Sequence, residues 1–415
     1  MLPSPPSEDA PHRPPRLARP SPVPRLAGTV CVLPAPDDED RFWAEVGRRG
    51  TPVVGPDPLG DPGYAAVTFL WRGTSATRAV QVMPNKLGDP SDPSANLMER
   101  VPGTNTWHWT LRLRRDWRGT YEFYVDEGGG PGTSTPEYWR WLRTRRRSDP
   151  SNPRALPGRW DGEPVSYAEL PDAPRGTDWE PRPDVPRGTV TEHELASERL
   201  SGVRRVWLYE PPGGGRDLPV LVLLDGEHWQ PRLGLSNLLD NLIADGRVPP
   251  VAAVLPESVD VTTRWNEMAC RPEHAAFLAE ELLPWAAAER ISITNDPART
   301  IVSGQSLGGL AAAHAALTYP QRFGNVLAQS GSFWWPDGPG AEWLTGVIAE
   351  VPRRPVRFRL AFGEHEWVLL PAARRLRDTL AAAGYTDTAY HEYNGGHDYL
   401  CWRTELTKGL TALLT

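Results

Sequence analysis

A β-sandwich followed by an α/β unit built on a mostly parallel sheet is the architecture predicted for this 415-residue chain, on three observations. Short aromatic-rich runs with period two fill much of residues 27–130. From residue 188 onward apolar strand-length runs alternate with helix-length ones. One Gly-x-Ser-x-Gly set falls between such a strand and such a helix. At roughly 150 residues per domain the length also asks for more than one core.

The first 24 residues carry nine prolines and no apolar run, so residues 1–26 are expected to form a disordered Pro-rich arm without the apolar core of a secretion signal. In residues 27–130 the runs VTFLWR (67–72), AVQVMP (79–84), WHWTLRL (107–113) and TYEFYVD (120–126) are separated by turn residues, which predicts a sandwich of the immunoglobulin-like kind. One helix is predicted over Asp40–Arg49, where Phe42, Trp43 and Val46 line a face. Recurrent prolines make residues 131–187 an expected extended connector.

Residues 188–415 open with a hairpin, TVTEHELAS and RRVWLYEPP. Strands follow at 219–226, 249–257, 299–306, 325–332, 356–364 and 387–393, and helices at 233–245, 272–290, 307–319, 341–350 and 369–384. Continuously apolar strands alternating with helices imply a parallel sheet with helices on both faces.

Gly304-Gln305-Ser306-Leu307-Gly308 lies directly after the strand RTIVS and before an Ala-rich helix. In that context the set reads as the nucleophile elbow of an α/β-hydrolase sheet. Glycines two before and two after the serine permit a strained turn and close approach of helix to strand. Chain order then asks for an acid and a histidine downstream. His314 falls inside the helix after the elbow, His391 in a strand and His365 in the acid-bearing loop, which leaves His397, in the loop Asn-Gly-Gly-His-Asp, as the base. The acid is Glu366 or Glu364 in FGEHEW, and composition leaves the two equal. The oxyanion requires two N–H groups: that of Leu307 and one from the LLDGEHW loop, at Gly226 or Glu227.

The net charge of −7 argues against a nucleic-acid binder, because phosphate affinity needs a basic surface. No apolar run approaches the ~18 residues of a membrane helix, so no membrane insertion is expected. Three scattered cysteines, Cys31, Cys270 and Cys401, suit neither a disulfide framework nor a metal site and point to a reducing, cytoplasmic home. No histidine–cysteine cluster has metal-ligand spacing, so no metal and no cofactor are expected.

Taken together, LLDGEHW, RWNEMAC, SGQSLGGLAA, SGSFWW, FGEHEW and GGHDYLCW occur in an order that resembles enterochelin (ferric enterobactin) esterases, of the esterase D type. The first half adds ERVPGTNTWHWTLRLRRDWRGTYEFYVD, similar to that family's amino-terminal β-domain. The resemblance implies a cytoplasmic serine esterase that opens the trilactone of a ferric catecholate siderophore, as a monomer or weak oligomer, with iron present only as part of the substrate. It makes Ser306 the nucleophile and His397 the base, and it favours Glu366 over Glu364 as acid. It also assigns Arg264 to the anionic siderophore, with an Arg264–Glu267 pair bracing a loop as the competing account. Trp334 and Trp335 would line an aromatic pocket, with internal packing as their alternative. The basic run RWLRTRRR (140–147) is read as a solvated face or an attraction site for the siderophore. Two other functions fit parts of the pattern: a feruloyl or acetyl esterase of the same fold, and a ferric-siderophore binder without catalysis.

Overall fold

In the computed structural model of the chain, residues 2–6, 13–27, 33–88, 92–131, 135–160, 162–289, 291–338 and 340–415 are described. They form two compact units. One comprises Ala18–Arg175 together with Asn394–Cys401; the other comprises Gly176–Tyr393 with Trp402–Thr415 and the first residues to Leu17.

The amino-terminal unit contains β1 (Arg25–Leu26), α1 (Glu39–Arg49), β2 (Val53–Pro56), β3 (Tyr64–Arg72), β4 (Ala79–Pro84), β5 (Glu99–Arg100), β6 (Thr106–Arg114) and β7 (Arg118–Asp126). One antiparallel sheet has the order β1-β6-β3-β2, with β5 also on β6. Strand β6 shows why it forms: Trp107, Trp109, Leu111 and Leu113 are buried while His108, Arg112 and Arg114 are only half-buried, the period-two signature of a sheet with one dry face. In the facing sheet β4 pairs β7 with Val82 opposite Phe123. Phe69 packs edge-on against Tyr121 at 4.8 Å and Trp71 lies 5.1 Å from Phe123, so the two dry faces meet as a sandwich.

Two expectations for this unit are corrected. The Pro-rich arm is not wholly without structure: Arg25 and Leu26 pair with Leu111 and Thr110 of β6, because edge β6 offers free backbone groups to an extended segment. The connector is not simply extended either. It supplies α2 (Pro136–Leu142), β8 (Arg146–Arg147), β9 (Ala155–Leu156) and β10 (Val165–Glu169), and these complete the second sheet in the order β4-β7-β10-β9, with β8 on β7. Its prolines punctuate strands of two to five residues, too short for periodicity to register. The basic run falls on the end of α2 and on β8, where Arg140 pairs Glu137, Arg146 pairs Glu122 and Arg145 covers the Trp141 ring.

The second unit carries β11 (Thr189–Ser197), β12 (Gly202–Glu210), β13 (Val220–Leu223), α3 (Gly226–Trp229), α4 (Leu235–Ala244), β14 (Ala252–Pro256) and α5 (Val261–Met268). Next come α6 (Pro272–Ala276), which runs through a π segment (Phe277–Leu282) into α7 (Leu283–Glu289), then β15 (Thr300–Gln305), α8 (Leu307–Thr318), β16 (Asn325–Gln329) and α9 (Trp343–Glu350). The last elements are β17 (Arg357–Gly363), α10 (Leu370–Ala382), β18 (Thr388–Tyr393) and α11 (Tyr399–Leu414). Among the described residues the sheet has eight strands in the order β11-β12-β14-β13-β15-β16-β17-β18. It is mixed rather than parallel throughout: the opening hairpin β11–β12 and the β12–β14 pair are antiparallel, and every later pair is parallel. Every residue of β13, β14, β15 and β16 is buried, as helices on both faces require. Helix α5 escaped the sequence reading because its eight residues, VTTRWNEM, carry a single short apolar face.

Cys270 and Cys401 are buried free thiols, and loss of hydration pushes both up from their ordinary value, which suits packing rather than reactivity. Cys31 lies outside the described residues.

Candidate active site

Ser306 occupies the junction between β15 and α8 with φ 56° and ψ −121°, a backbone region that side-chain-bearing residues rarely adopt. Its neighbours over-determine that conformation. The Ser306 N–H donates to Gln329 O at 2.9 Å, and its carbonyl accepts from Gly309 N at 3.1 Å and Ser332 N at 2.9 Å. A Cβ on Gly304 would stand 2.5 Å from the Gly308 backbone, so strand and helix meet at a distance only glycine permits. Ser306 is partly exposed amid buried neighbours. Leu307 is the first residue of α8, so its N–H has no acceptor within the helix and faces the turn with the positive end of the peptide dipoles.

The LLDGEHW loop turns at Asp225, which is itself left-handed at φ 63°, and passes into α3 at Gly226. The His228 and Trp229 N–H groups return to Asp225 O, so those of Gly226 and Glu227 are the first two of the helix and lack an acceptor inside it. The Glu227 carboxylate is occupied: it accepts from Ser258 N at 3.1 Å and Ser258 Oγ at 2.7 Å.

Asp225, absent from the candidate residues drawn from sequence, is the hub between this loop and the elbow. Arg264 donates to both its oxygens, at 2.7 and 2.8 Å, and also to the Gln305 carbonyl at 3.1 Å. The Gln305 amide donates to Asp225, and Trp229 Nε1 donates to Gln305 Oε1 at 3.1 Å. The expected Arg264–Glu267 pair is therefore corrected. The Arg264 guanidinium is buried against Asp225 and the backbone of the residue before the nucleophile, where it braces the elbow; and its partner is not Glu267, which pairs instead with Arg204. Sequence spacing suggested i, i+3 neighbours, yet α5 presents the two side chains to different partners. An acidic residue directly before the loop glycine was the available signal for Asp225.

Of the two acids, Glu366 is buried at 1% exposure and its Oε2 accepts from Ser330 Oγ at 2.8 Å and Gly363 N at 2.6 Å. Ser330, left-handed at φ 48°, also accepts from Trp402 Nε1 at 2.9 Å and meets Tyr393 Oη at 3.3 Å. Glu364 is half-buried at the end of β17, its N–H bonded to Tyr393 O. A buried carboxylate locked by two donors can orient an imidazole. Ser330 was legible only as part of SGSFWW.

His397 belongs to the amino-terminal unit by its packing, in the loop between β18 and α11. The other histidines considered divide as expected from their elements. His314 in α8 is buried, and loss of hydration lowers it to about 3, with His274 nearby adding to the effect. His391 is exposed on β18.

Trp334 and Trp335 do not share one role. Trp335 is completely buried in the core of the second unit, which corrects its assignment to a substrate pocket; Trp334, 4% exposed, packs at 6.3 Å from the Trp265 ring.

A family model described as the amino-terminal part of enterochelin esterase matches residues 66–179, and one described as a putative esterase matches residues 197–413. The chain is 34% identical over 423 residues to the iron(III) enterobactin esterase of Dickeya dadantii (strain 3937), covering 91% of this chain and 93% of that one. Among solved structures it resembles the enterobactin esterase of Shigella flexneri crystallised in the presence of enterobactin, with a TM-score of 0.76 at 32% identity over 88% of this chain and 96% of that one. It also resembles the ferric enterobactin esterase of Salmonella typhimurium, with a TM-score of 0.79 at 30% identity over 90% and 98%. Among the described residues no helix is long and apolar enough to cross a membrane.

Proposed function

The chain belongs to the enterochelin esterase family, and from that premise we propose that it hydrolyses the ester bonds in the trilactone backbone of a ferric catecholate siderophore of the enterobactin kind. The observation that carries the reading is the left-handed Ser306 between β15 and α8, beside two sets of N–H groups without helical acceptors.

Ser306 Oγ attacks a lactone carbonyl carbon while His397 takes the hydroxyl proton. The carbonyl oxygen becomes an oxyanion held by the Leu307 N–H and by that of Gly226 or Glu227. Collapse breaks the carbon–oxygen ester bond, and the imidazolium returns its proton to the departing alkoxide, leaving an acyl-Ser306 ester. His397 then deprotonates a water that attacks this ester; a second collapse frees the carboxylate product and restores Ser306. Glu366 fixes the imidazole orientation and offsets the imidazolium charge. Arg264 and Asp225 hold Gln305 and the oxyanion loop in register.

Opening the trilactone removes the ring that preorganises three catecholates around iron, so the metal is held less tightly and can be released, in this reading in the cytoplasm. Iron enters with the substrate, and the mechanism uses no cofactor.

The test is incubation with ferric and iron-free enterobactin, products being followed by mass, with Ser306→Ala alongside. Successive gains of one water are expected for the native chain. The variant should lose about four to six orders of magnitude in kcat while keeping ferric-siderophore affinity within roughly threefold. Binding without any mass gain would indicate a carrier; turnover of aryl esters alone would indicate another esterase of this fold.

A further inference from the structure

The loop that carries the base is secured within the amino-terminal unit, by residues some three hundred positions earlier in the chain. Asn85, just after β4, contacts both backbone polar groups of His397: its Oδ1 accepts from the His397 N–H at 2.8 Å and its Nδ2 donates to the His397 carbonyl at 3.1 Å. The amide orientation is dictated by these partners, since an N–H needs the oxygen and a carbonyl needs the nitrogen. Asn85 is itself anchored, its N–H bonded to Thr120 O at 2.8 Å.

Contacts on either side extend the hold. Asp398 Oδ2 accepts from Thr120 N at 3.0 Å and Thr120 Oγ1 at 3.1 Å, while its Oδ1 accepts from Cys401 N and so caps the start of α11. Asn394 donates to Asp116, and its carbonyl accepts from Arg118 N at 3.4 Å. A Cβ on Gly396 would lie 2.6 Å from Asn85 Oδ1 and 2.7 Å from Asn85 O, so the Gly-Gly-His sequence is what lets Asn85 approach.

The two bonds from Asn85 bracket the Cα of His397, fixing the peptide on each side of it and therefore the direction in which Cβ leaves the chain. An adjacent pair of glycines gives the loop no stiffness of its own, because glycine loses the most backbone entropy on being ordered. The rigidity has to come from outside the loop. Resting on the reading of His397 as base, we propose that Asn85 is a positioning residue for His397, and that the sandwich thereby serves the chemical step rather than substrate binding alone.

The experiment compares full-length Asn85→Ala and Asn85→Asp with the native chain in kcat and KM on ferric enterobactin, in the rate at which diisopropyl fluorophosphate labels Ser306, and in thermal midpoint. Asn85→Ala should lower kcat and the labelling rate together by about 10- to 100-fold, with KM within roughly twofold, because misplacing a base slows the chemistry in both reactions. Its midpoint should fall by only about 2–4 °C. Asn85→Asp, which keeps an oxygen for the His397 N–H but loses the donor, should fall between the two. Unchanged kcat and labelling in Asn85→Ala, or a rise in KM alone, overturns the proposal. Should the alanine variant not fold, Asn85→Asp decides on the same readouts. Ser306→Ala and His397→Ala run in parallel: full turnover by either removes the serine–histidine mechanism and the positioning role with it. Two inactive controls beside a native-like Asn85→Ala remove the positioning role alone.

Discussion

Arg264 and Asp225 meet as a two-pronged ion pair inside the second unit, with Nε 2.7 Å from Oδ1 and a terminal nitrogen 2.8 Å from Oδ2. Asp225 has no solvent exposure, so the pair is a buried charge with its counter-charge, and its loss leaves the carboxylate without compensation.

Arg264→Ala is therefore expected to cost about 3–5 kcal/mol of stability, the usual price of orphaning a buried charge. Where the variant is folded, it should lose kcat/KM by a similar factor on ferric enterobactin and on a neutral aryl ester. Steady-state kinetics on both substrates with a denaturant titration checks this. A loss confined to the anionic ferric substrate would return Arg264 to the role that the resemblance gave it.

Glu366→Gln should lower kcat by about 10²- to 10⁴-fold, since a neutral amide no longer offsets the imidazolium, whereas Glu364→Gln should stay within roughly threefold of native. Parallel kinetics on the two variants separates the assignments, and the reverse ranking would exchange them. Ser330→Ala, which removes one of the donors to Glu366, should show a smaller loss in the same assay.

His274 and His314 give the second unit an acid limit. Burial lowers His274 to about 4 and His314 to about 3; Asp225 partly opposes the shift of His274, whereas Arg204 and Arg264 add to it. Both folded values lie below the unfolded value of 6.5, so above that pH neither state carries the proton and the histidines cost nothing. As pH falls below 6.5 the unfolded chain takes up protons that the folded chain refuses. Stability should then fall by about 1.4 kcal/mol per pH unit for each histidine, on the order of 4 kcal/mol for the pair at about pH 5. Thermal or denaturant unfolding across pH 7.5 to 4.5 measures the slope, and His314→Leu should remove about half of it.

Trp335 fills the core and its Nε1 has no hydrogen-bond partner among the described residues, so replacement by another aromatic should be tolerated. Trp335→Phe is expected to leave KM for the ferric siderophore within roughly twofold, while Trp335→Ala opens a cavity worth about 3–5 kcal/mol. A large KM increase with unchanged unfolding midpoint in Trp335→Phe would restore the pocket assignment.

What is local can be read along the chain. Strands β3, β4, β6 and β7 follow from period-two burial, the strands and helices after residue 188 from the alternation of apolar runs, and the elbow from glycines set around Ser306 between a strand and a helix. Those signals persist in one dimension because each depends on neighbours within a few residues.

Tertiary structure decided what depends on distant partners. Strands β8 and β10 became sheet because β7 offered an edge to short segments between prolines, and β9 because β10 then offered its own. Glu364 and Glu366, equal in composition, differ in burial, and Glu366 accepts from Ser330, a residue on another strand's end. Arg264 went to Asp225 rather than Glu267 because α5 packs its guanidinium against the LLDGEHW loop, and no spacing along α5 encodes which loop lies above it. Every catalytic candidate in the sequence lies after residue 188, yet the bonds that hold His397 come from Asn85 and those on its neighbour Asp398 from Thr120. A separation of 312 positions between two partners is set by folding and leaves no periodicity to read.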